Sequence, residues 1–320
     1  MNGIIELASI KGLTIGQVKR ILDHLPNLST LIMTSIKVES FLDKLESRPN
    51  IQTLVLNNCS LWLLRGLCCF PELRVLECPN NLLVSLYGSH HCPKLTRINA
   101  RSNQLKTLCM SNPELEDLDC SSNRLFEFDS LHLCPKLHTL NADHNNIRHL
   151  VLHSCPSLRT VSLNNCKLRT LGNLHDLNLE SLSVNSNLIQ TVRPSEPVFS
   201  LKKLYCSSGR LAALRGIGLY PNLEELVVSG NTVHRVGNIW LCSKLAKLDI
   251  TANCMSNLVS VFRIESLLEA KIQGNPLKNS NLFSNVKQFD PRSRWYKSAN
   301  YRPWVEALGF VFVKPDGARI

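Results

Sequence analysis

Three histidine–cysteine groups are the residues of this sequence whose types and spacing come nearest to a metal site. They are His91-Cys92, His132-Leu133-Cys134 and His153-Ser154-Cys155, and they recur at similar points of a repeating unit. Imidazole and thiolate are ligands that zinc prefers, but a structural zinc site needs four of them held tightly. No Cys-x-x-Cys pair occurs among the 13 cysteines. The sequence therefore favours buried, reduced cysteines over a zinc site and predicts no cofactor.

A catalytic triad is the other chemistry that the residue types allow. Asp143-His144 lies one repeat after Ser121-Ser122, which would bring a carboxylate, an imidazole and a hydroxyl to adjacent strands. Such side chains on an open sheet are solvated, with nothing to exclude water or to shift a pKa. The chain also lacks a glycine-rich phosphate loop, a His-Glu-x-x-His motif and a Gly-x-Ser-x-Gly elbow. The sequence predicts a protein that is not an enzyme.

A short pattern repeated along the chain determines where these residues lie. It reads leucine, two variable residues, an aliphatic residue, one variable residue, an aliphatic residue or cysteine, two variable residues and asparagine, as in residues 95–103 and 115–123. The asparagine position recurs at steps of roughly 22 residues, which is typical of a leucine-rich-repeat solenoid. It is filled by Ile10, Ile36, Cys59, Asn81, Asn103, Asn123, Asn145, Cys166, Asn187, Gly209, Asn231, Asn253 and Asn275.

The repeat predicts an α/β solenoid of the leucine-rich-repeat horseshoe type. Each repeat contributes one short strand to a parallel concave sheet, and alternation places Ile98 and Ala100 inside and Arg97 outside. The asparagine amide is expected to satisfy buried backbone groups of the adjacent repeat. On the convex side we expect an α-helix after a capping box at residues 14–17, a short helix over 40–46, and turns or single 3-10 turns in the middle repeats.

The distribution of charge decides more than its total. The formal net charge at pH 7 is +11, which raises nucleic acid as a partner. The outward strand positions from the second repeat onward carry five basic against seven acidic side chains, whereas residues 278–320 carry eight basic against three acidic. Much of the remaining positive charge falls at convex and edge positions. A phosphate-binding groove on the concave sheet is therefore not expected.

The middle of the predicted concave sheet has adjacent positive and negative side chains. Beyond them lies a run of small polar residues in which Tyr205 is the single aromatic side chain, and interface hot spots favour Tyr and Arg. We therefore predict that another protein, and not a small molecule, binds this face. The predicted contact residues are Arg97, Arg101, Asp117, Asp119, Asp143 and Tyr205.

The end of the chain has a pattern of its own. Gly274-Asn275-Pro276-Leu277 ends the repeats, and it is followed by Tyr-Arg-Pro-Trp-Val-Glu-Ala-Leu at 301–308 and Asp-Gly-Ala-Arg-Ile at 316–320. This order resembles the C-terminal cap of the 22-residue leucine-rich-repeat class, which includes the nuclear regulatory subunit of protein phosphatase 1, the A-prime subunit of a spliceosomal particle, tubulin-folding cofactor E and the leucine-rich dynein light chain. The sequence departs from the cap pattern at Gly309-Phe310 and Pro315. We predict a solenoid over 1–277 and a cap over 278–320.

The resemblance implies an intracellular scaffold or regulatory subunit, in a cytoplasmic, nuclear or ciliary setting that includes phosphatase regulation. The chain has no 18-residue apolar run and no signal-peptide pattern at its start, so we expect no membrane partner. The alternative function is a component of an RNA–protein particle that binds RNA through a basic and aromatic insertion in the cap. Its contact residues for nucleic acid or an acidic partner would be Arg292, Arg294, Trp295 and Lys297. An adaptor for ubiquitin ligation is a third alternative, for which no recruiting helix pair is visible.

Overall fold

The computed structural model describes residues 3–10, 13–37, 44–152, 155–258 and 260–277. The chain divides into two compact units, Met1–Leu188 and Ile189–Ile320. The first unit contains β1 (Gly3–Ala8), α1 (Ile15–Asp23), β2 (Leu28–Thr34), β3 (Thr53–Asn57), β4 (Val75–Glu77), β5 (Arg97–Asn99), β6 (Asp117–Asp119), β7 (Thr139–Asn141), β8 (Thr160–Ser162) and β9 (Ser181–Ser183). The second contains β10 (Lys203–Tyr205), β11 (Glu225–Val227), β12 (Lys247–Asp249) and β13 (Glu269–Lys271). The predicted cap lies outside the described residues, as does most of the predicted helix over 40–46.

Within each unit the strands pair in parallel and in chain order. In the first unit β1 to β9 form one such series, and in the second unit β10 to β13 form another. Ile98 and Ala100 are fully buried while Arg97 is exposed, as alternation along a strand requires. The predicted repeat solenoid with a parallel sheet is confirmed.

The asparagine position forms a series of hydrogen bonds between neighbouring repeats, and Asn81 shows its pattern. The side-chain Oδ1 of Asn81 accepts from the backbone N–H of Cys59 at 2.8 Å and of Leu61 at 3.0 Å. Its Nδ2 donates to the carbonyl of Leu56 at 2.7 Å and to that of Cys78 at 3.0 Å. These backbone groups lie at the turn out of the strand, where no strand partner reaches them. The predicted role of the amide is confirmed, and we call the series the asparagine ladder.

Cysteine replaces asparagine in this ladder at two positions and keeps only part of its bonding. The thiol of Cys59 donates to the carbonyl of Met33 at 3.3 Å, and the thiol of Cys166 donates to that of Ala142 at 3.5 Å. A thiol is a weak donor and a weak acceptor, so that these repeats have a weaker link. Ten of the 13 cysteines are buried, which confirms the prediction of structural cysteines. Burial raises the pKa of Cys78 to about 12, because the thiolate cannot be solvated there.

Among the described residues, the segments that connect the strands contain one α-helix and several 3-10 helices. The Thr14 hydroxyl accepts from the backbone of Gln17, and Gln17 Oε1 accepts from the Thr14 N–H at 2.8 Å, which confirms the predicted capping box of α1. Gly88, with φ of 105°, precedes one of the 3-10 helices, and a Cβ there would lie 2.8 Å from the Leu64 carbonyl. The predicted 3-10 turns are confirmed at Leu67–Cys69, Ser89–His91, Leu131–Leu133, Leu174–Asp176, Ile217–Leu219, Ile239–Leu241 and Val261–Arg263.

Candidate functional site

The exposed side of the sheet in the first unit, here called the sheet face, carries the charged residues that the repeat register predicts. Arg97 on β5 lies directly opposite Asp117 on β6, in neighbouring strands ~4.8 Å apart. Both side chains are exposed. Neither forms an ion pair or a side-chain hydrogen bond with another of the described residues. The sheet face therefore presents two adjacent opposite charges that are not satisfied by each other.

Two further predicted contact residues lie in the same two repeats and are held by local hydrogen bonds. Asp119 is half-buried, and its Oδ1 accepts from the backbone N–H of Ser121 at 2.9 Å. In the preceding repeat Asn99 Oδ1 accepts from the backbone N–H of Arg101 at 3.1 Å, while the Arg101 side chain is exposed. Both bonds fix the end of a strand. Arg101 thus offers a free charge from a rigid backbone, whereas Asp119 has part of its hydrogen-bonding capacity already used.

Asp143 belongs to a hydrogen-bonded series that crosses three repeats of the sheet face, here called the polar chain. Its Oδ1 accepts from Ser162 Oγ and from the Asn164 N–H, both at 2.7 Å, and its Oδ2 accepts from Asn164 Nδ2 at 3.2 Å. Asn164 Oδ1 accepts from Ser183 Oγ at 2.8 Å and from the Asn185 N–H at 2.7 Å. All five residues are half-buried. Asp143 is therefore a structural anchor as well as a predicted contact.

The sequence analysis does not predict the polar chain, because it treats the members as separate small polar residues. One feature of the sequence does indicate hydrogen bonds between them. The pair Ser162 and Asn164 recurs as Ser183 and Asn185 at the same register positions of the next repeat. Equivalent positions of adjacent repeats lie side by side, so a repeated Ser-x-Asn pair predicts bonds between neighbours.

Tyr205, the predicted contact residue of the second unit, is half-buried on β10. Burial, and then the neighbouring carboxylate of Glu225 on the next strand, β11, raise the pKa of Tyr205 to about 12. Val227 is the residue of β11 that is paired with Tyr205 in register. Tyr205 thus presents a phenol that stays neutral at physiological pH.

The described residues of the histidine–cysteine groups do not converge on a common point. His91 is exposed, whereas Cys92 is fully buried and its thiol donates to the carbonyls of Leu67 at 3.3 Å and Phe70 at 3.4 Å. In the part of the chain that the structure describes, no group of three or more His, Cys, Asp or Glu side chains is placed to hold a metal ion. His153 and the predicted contact residues of the cap insertion lie outside the described residues. They are Arg292, Arg294, Trp295 and Lys297.

Comparisons with known proteins identify the fold. No family model matches the chain, and no curated protein is similar to it in sequence. Among solved structures, an internalin (InlF) from Listeria monocytogenes has a TM-score of 0.67 at 17% identity, over 84% of this chain and 78% of that one. A leucine-rich-repeat protein from Leptospira interrogans has a TM-score of 0.53 at 18% identity, over 91% and 88%. The leucine-rich-repeat domain of APL1 has a TM-score of 0.63 at 20% identity, over 86% and 74%.

These neighbours establish that the fold is that of leucine-rich-repeat proteins. The finer resemblance, to the class of the phosphatase 1 regulatory subunit, stays a prediction. None of the helices among the described residues has the length and apolar character needed to cross a bilayer.

Proposed function

We propose that this chain is a protein-binding scaffold or regulatory subunit, and that its partner contacts the sheet face of the first unit. The proposed contacts in that unit are Arg97, Arg101, Asp117, Asp119 and Asp143. In the second unit the proposed contact is Tyr205. The proposal assigns the chain no reaction of its own.

The pair Arg97 and Asp117 is the observation that carries the proposal. Two opposite charges on adjacent strands, both exposed and neither bonded to another described side chain, are free to pair with groups of a partner. Charged groups at an interface act mainly on specificity and on the rate of association. Because the strands are held by backbone hydrogen bonds and by the asparagine ladder, the two charges keep a fixed spacing. A partner with complementary charges at that spacing would meet little ordering cost.

The polar chain supports the same proposal from a neighbouring part of the sheet face. Its side chains are small, and their mutual hydrogen bonds leave few polar groups unsatisfied. A partner could cover Ser162, Asn164, Ser183 and Asn185 without having to replace strong bonds to water. We infer that the polar chain is a flat contact area beside the charged pair.

The location that we propose is the interior of the cell. Ten buried cysteines serve as core side chains, and three more, Cys68, Cys109 and Cys254, are exposed free thiols. Exposed free thiols suit a reducing compartment. The resemblance of the repeats and the cap to intracellular regulatory proteins points the same way.

A charge swap on the sheet face tests the proposed function. The variant Arg97→Asp, Asp117→Arg inverts the order of the two charges and leaves the net charge unchanged. We expect at least a tenfold loss of affinity for the partner, because each partner charge would now face a like charge. The tagged full chain is used to purify partners from its own cells, with quantification by mass spectrometry, and the affinity is then measured with the purified partner.

The matched control swaps a charge pair of neighbouring repeats that lies off the sheet face. Lys94 and Glu72 form an ion pair at 2.6 Å, so Lys94→Glu, Glu72→Lys preserves both the pair and the net charge. We expect this control to retain the partner. If the sheet-face swap and the control bind the same partner with equal affinity, the sheet face is not the binding surface.

A further inference from the structure

A second regular surface lies beside the sheet face in the first unit. After each asparagine or cysteine of the ladder from Cys59 to Cys166, the chain continues with a segment in which the first and third residues are at least partly exposed and the second is buried, as in Gln104-Leu105-Lys106. The Arg124 N–H donates to the Leu105 carbonyl at 2.9 Å, and the Lys167 N–H donates to the Ile147 carbonyl at 3.0 Å. Since the same two positions are bonded at successive steps, equivalent residues of neighbouring repeats lie side by side. We call the first and third positions within residues 60–169 the flank.

The flank carries a block of positive charge without any acidic residue. No Asp or Glu occurs at any flank position. All of its basic side chains are exposed, and none forms an ion pair or a side-chain hydrogen bond with a described residue. These basic residues, from four consecutive repeats, are Lys106, Arg124, Arg148, Lys167 and Arg169.

The charge is segregated between two surfaces of the same repeats. The outward strand positions of these four repeats carry two basic side chains, Arg97 and Arg101, against three acidic ones, Asp117, Asp119 and Asp143. The flank carries five basic and no acidic side chains. The charged residues of the flank rows are therefore all positive, although Glu127 and Asp129 lie just beyond these rows in the same repeat as Arg124. The separation indicates a polyanionic ligand that follows the flank across the repeats.

Two aromatic side chains lie in the same rows as the cations. Phe126, 57% exposed, sits two residues after Arg124 inside the basic block, and Trp62, 53% exposed, occupies the equivalent position three repeats earlier. Both rings are therefore accessible to a ligand that lies along the flank. Cations that follow a backbone, together with rings on which bases stack, are the combination with which proteins hold single-stranded nucleic acid.

We propose that the flank binds single-stranded nucleic acid, with the five cations on phosphates and Phe126 and Trp62 stacked on bases. Neighbouring repeats are ~4.8 Å apart, and the two rows of the flank are roughly 7 Å apart, so the cations form a narrow band that suits one extended strand. An acidic peptide would use the cations but leave both rings without a stacking partner. An anionic bilayer would favour a broad patch over a narrow band. This site is separate from the sheet face and does not depend on the proposed protein partner.

The test is fluorescence anisotropy of the full chain with a labelled 12-nucleotide oligouridylate, between 50 and 200 mM salt. Five phosphate contacts predict a slope of log affinity against log salt of about −3.5, at about −0.7 for each contact with a single strand. The flank variant Arg124→Gln, Arg148→Gln, Arg169→Gln should bind at least tenfold more weakly, with a slope of about −1.4. The matched control removes three exposed cations of the same unit that lie off the flank, as Arg74→Gln, Lys94→Gln, Lys136→Gln, and should change affinity less than threefold.

A separate variant tests the rings. Phe126→Ala should weaken binding about tenfold and leave the salt slope unchanged, because stacking does not release counterions. Equal losses in the flank variant and its control would overturn the proposal, since total charge alone would then explain binding. Undiminished oligonucleotide binding by the flank variant would also overturn the proposal, because other residues, such as 278–320, would then bind the oligonucleotide. Tighter binding to oligoglutamate, or to phosphatidylserine vesicles, than to the oligonucleotide would assign the flank to a different ligand.

The sheet-face swap Arg97→Asp, Asp117→Arg distinguishes this proposal from the proposed function. It should leave oligonucleotide affinity unchanged while the protein partner is lost. Loss of both ligands in that one variant would contradict the separation of the two surfaces.

Discussion

Asp143 and Asp117 occupy outward positions in neighbouring repeats, yet the structure predicts very different costs for removing them. Asp143 accepts three hydrogen bonds, from Ser162 Oγ, the Asn164 N–H and Asn164 Nδ2. Asp117 is exposed and accepts none from the described side chains. Removal of the Asp143 carboxylate leaves three donors that can bond only to water. Removal of the Asp117 carboxylate changes only the surface charge.

The magnitude follows from the burial of the polar chain. A hydrogen bond to a charged group contributes about 1.5–3 kcal/mol when it is buried. The members of the polar chain are half-buried, so water partly replaces the lost acceptor and each contribution is reduced. We expect Asp143→Ala to lower the free energy of unfolding by about 2 kcal/mol and Asp117→Ala to change it by less than about 0.5 kcal/mol. Asp143→Asn should cost about 1 kcal/mol, because it keeps one acceptor oxygen for Ser162 and the Asn164 N–H.

Urea denaturation followed by circular dichroism measures these differences. The slope of the free energy of unfolding against urea should be the same for all three variants, since the surface exposed on unfolding does not change. Equal urea midpoints for Asp143→Ala and Asp117→Ala would show that the hydrogen bonds of Asp143 do not stabilise the fold. The comparison also matters for binding assays, because a loss of partner in Asp143 variants would combine lost contact with lost stability.

Two further expectations concern the core of the solenoid. Asn123→Ala should lower the free energy of unfolding by about 3 kcal/mol in the same assay, because it leaves the buried Leu105 N–H without its acceptor and removes one of the two amides that donate to each of the Ala100 and Cys120 carbonyls. A cost below about 1 kcal/mol would mean that water replaces the ladder amide. At pH 8 a thiol reagent should modify the exposed Cys68, Cys109 and Cys254 and leave Cys78 intact until the protein unfolds, since burial raises the pKa of Cys78 to about 12 and the thiolate is the reactive form. Labelling of native Cys78, detected by peptide mass spectrometry, would contradict this.

The parts of the fold that sequence predicted are those that depend on one repeat and its neighbour. Burial of Ile98 and Ala100 follows from alternation along a strand, and the bonds of Asn81 follow from a fixed position in a turn. The influence of Glu225 on the pKa of Tyr205 was not predicted, because it depends on side-chain conformations across two strands. The polar chain was not predicted for the same reason, although the sequence contains its repeated Ser-x-Asn pair.

The basic residues of the flank become neighbours only through the register of the repeats. The charge count along the sequence assigns the excess positive charge to convex and edge positions. It does not show which of these basic residues are neighbours. Register places Arg124, Arg148 and Lys167 in adjacent segments joined by backbone hydrogen bonds, and no acidic residue shares their rows. The information was present in the sequence, but it emerges only when equivalent positions of successive repeats are compared as rows.

The rows of one repeat differ in how much freedom they leave for function. The inward strand positions and the ladder position are committed to the core, and the polar chain shows that some outward positions are committed as well. Among the described residues of the first unit, those that remain unsatisfied include Arg97, Arg101 and Asp117 on the sheet face, and the cations and rings of the flank. Binding energy must come from groups that gain more from a partner than they lose in water. A self-bonded residue such as Asn164 can shape a surface, but the unpaired charges beside it are what a partner can recognise.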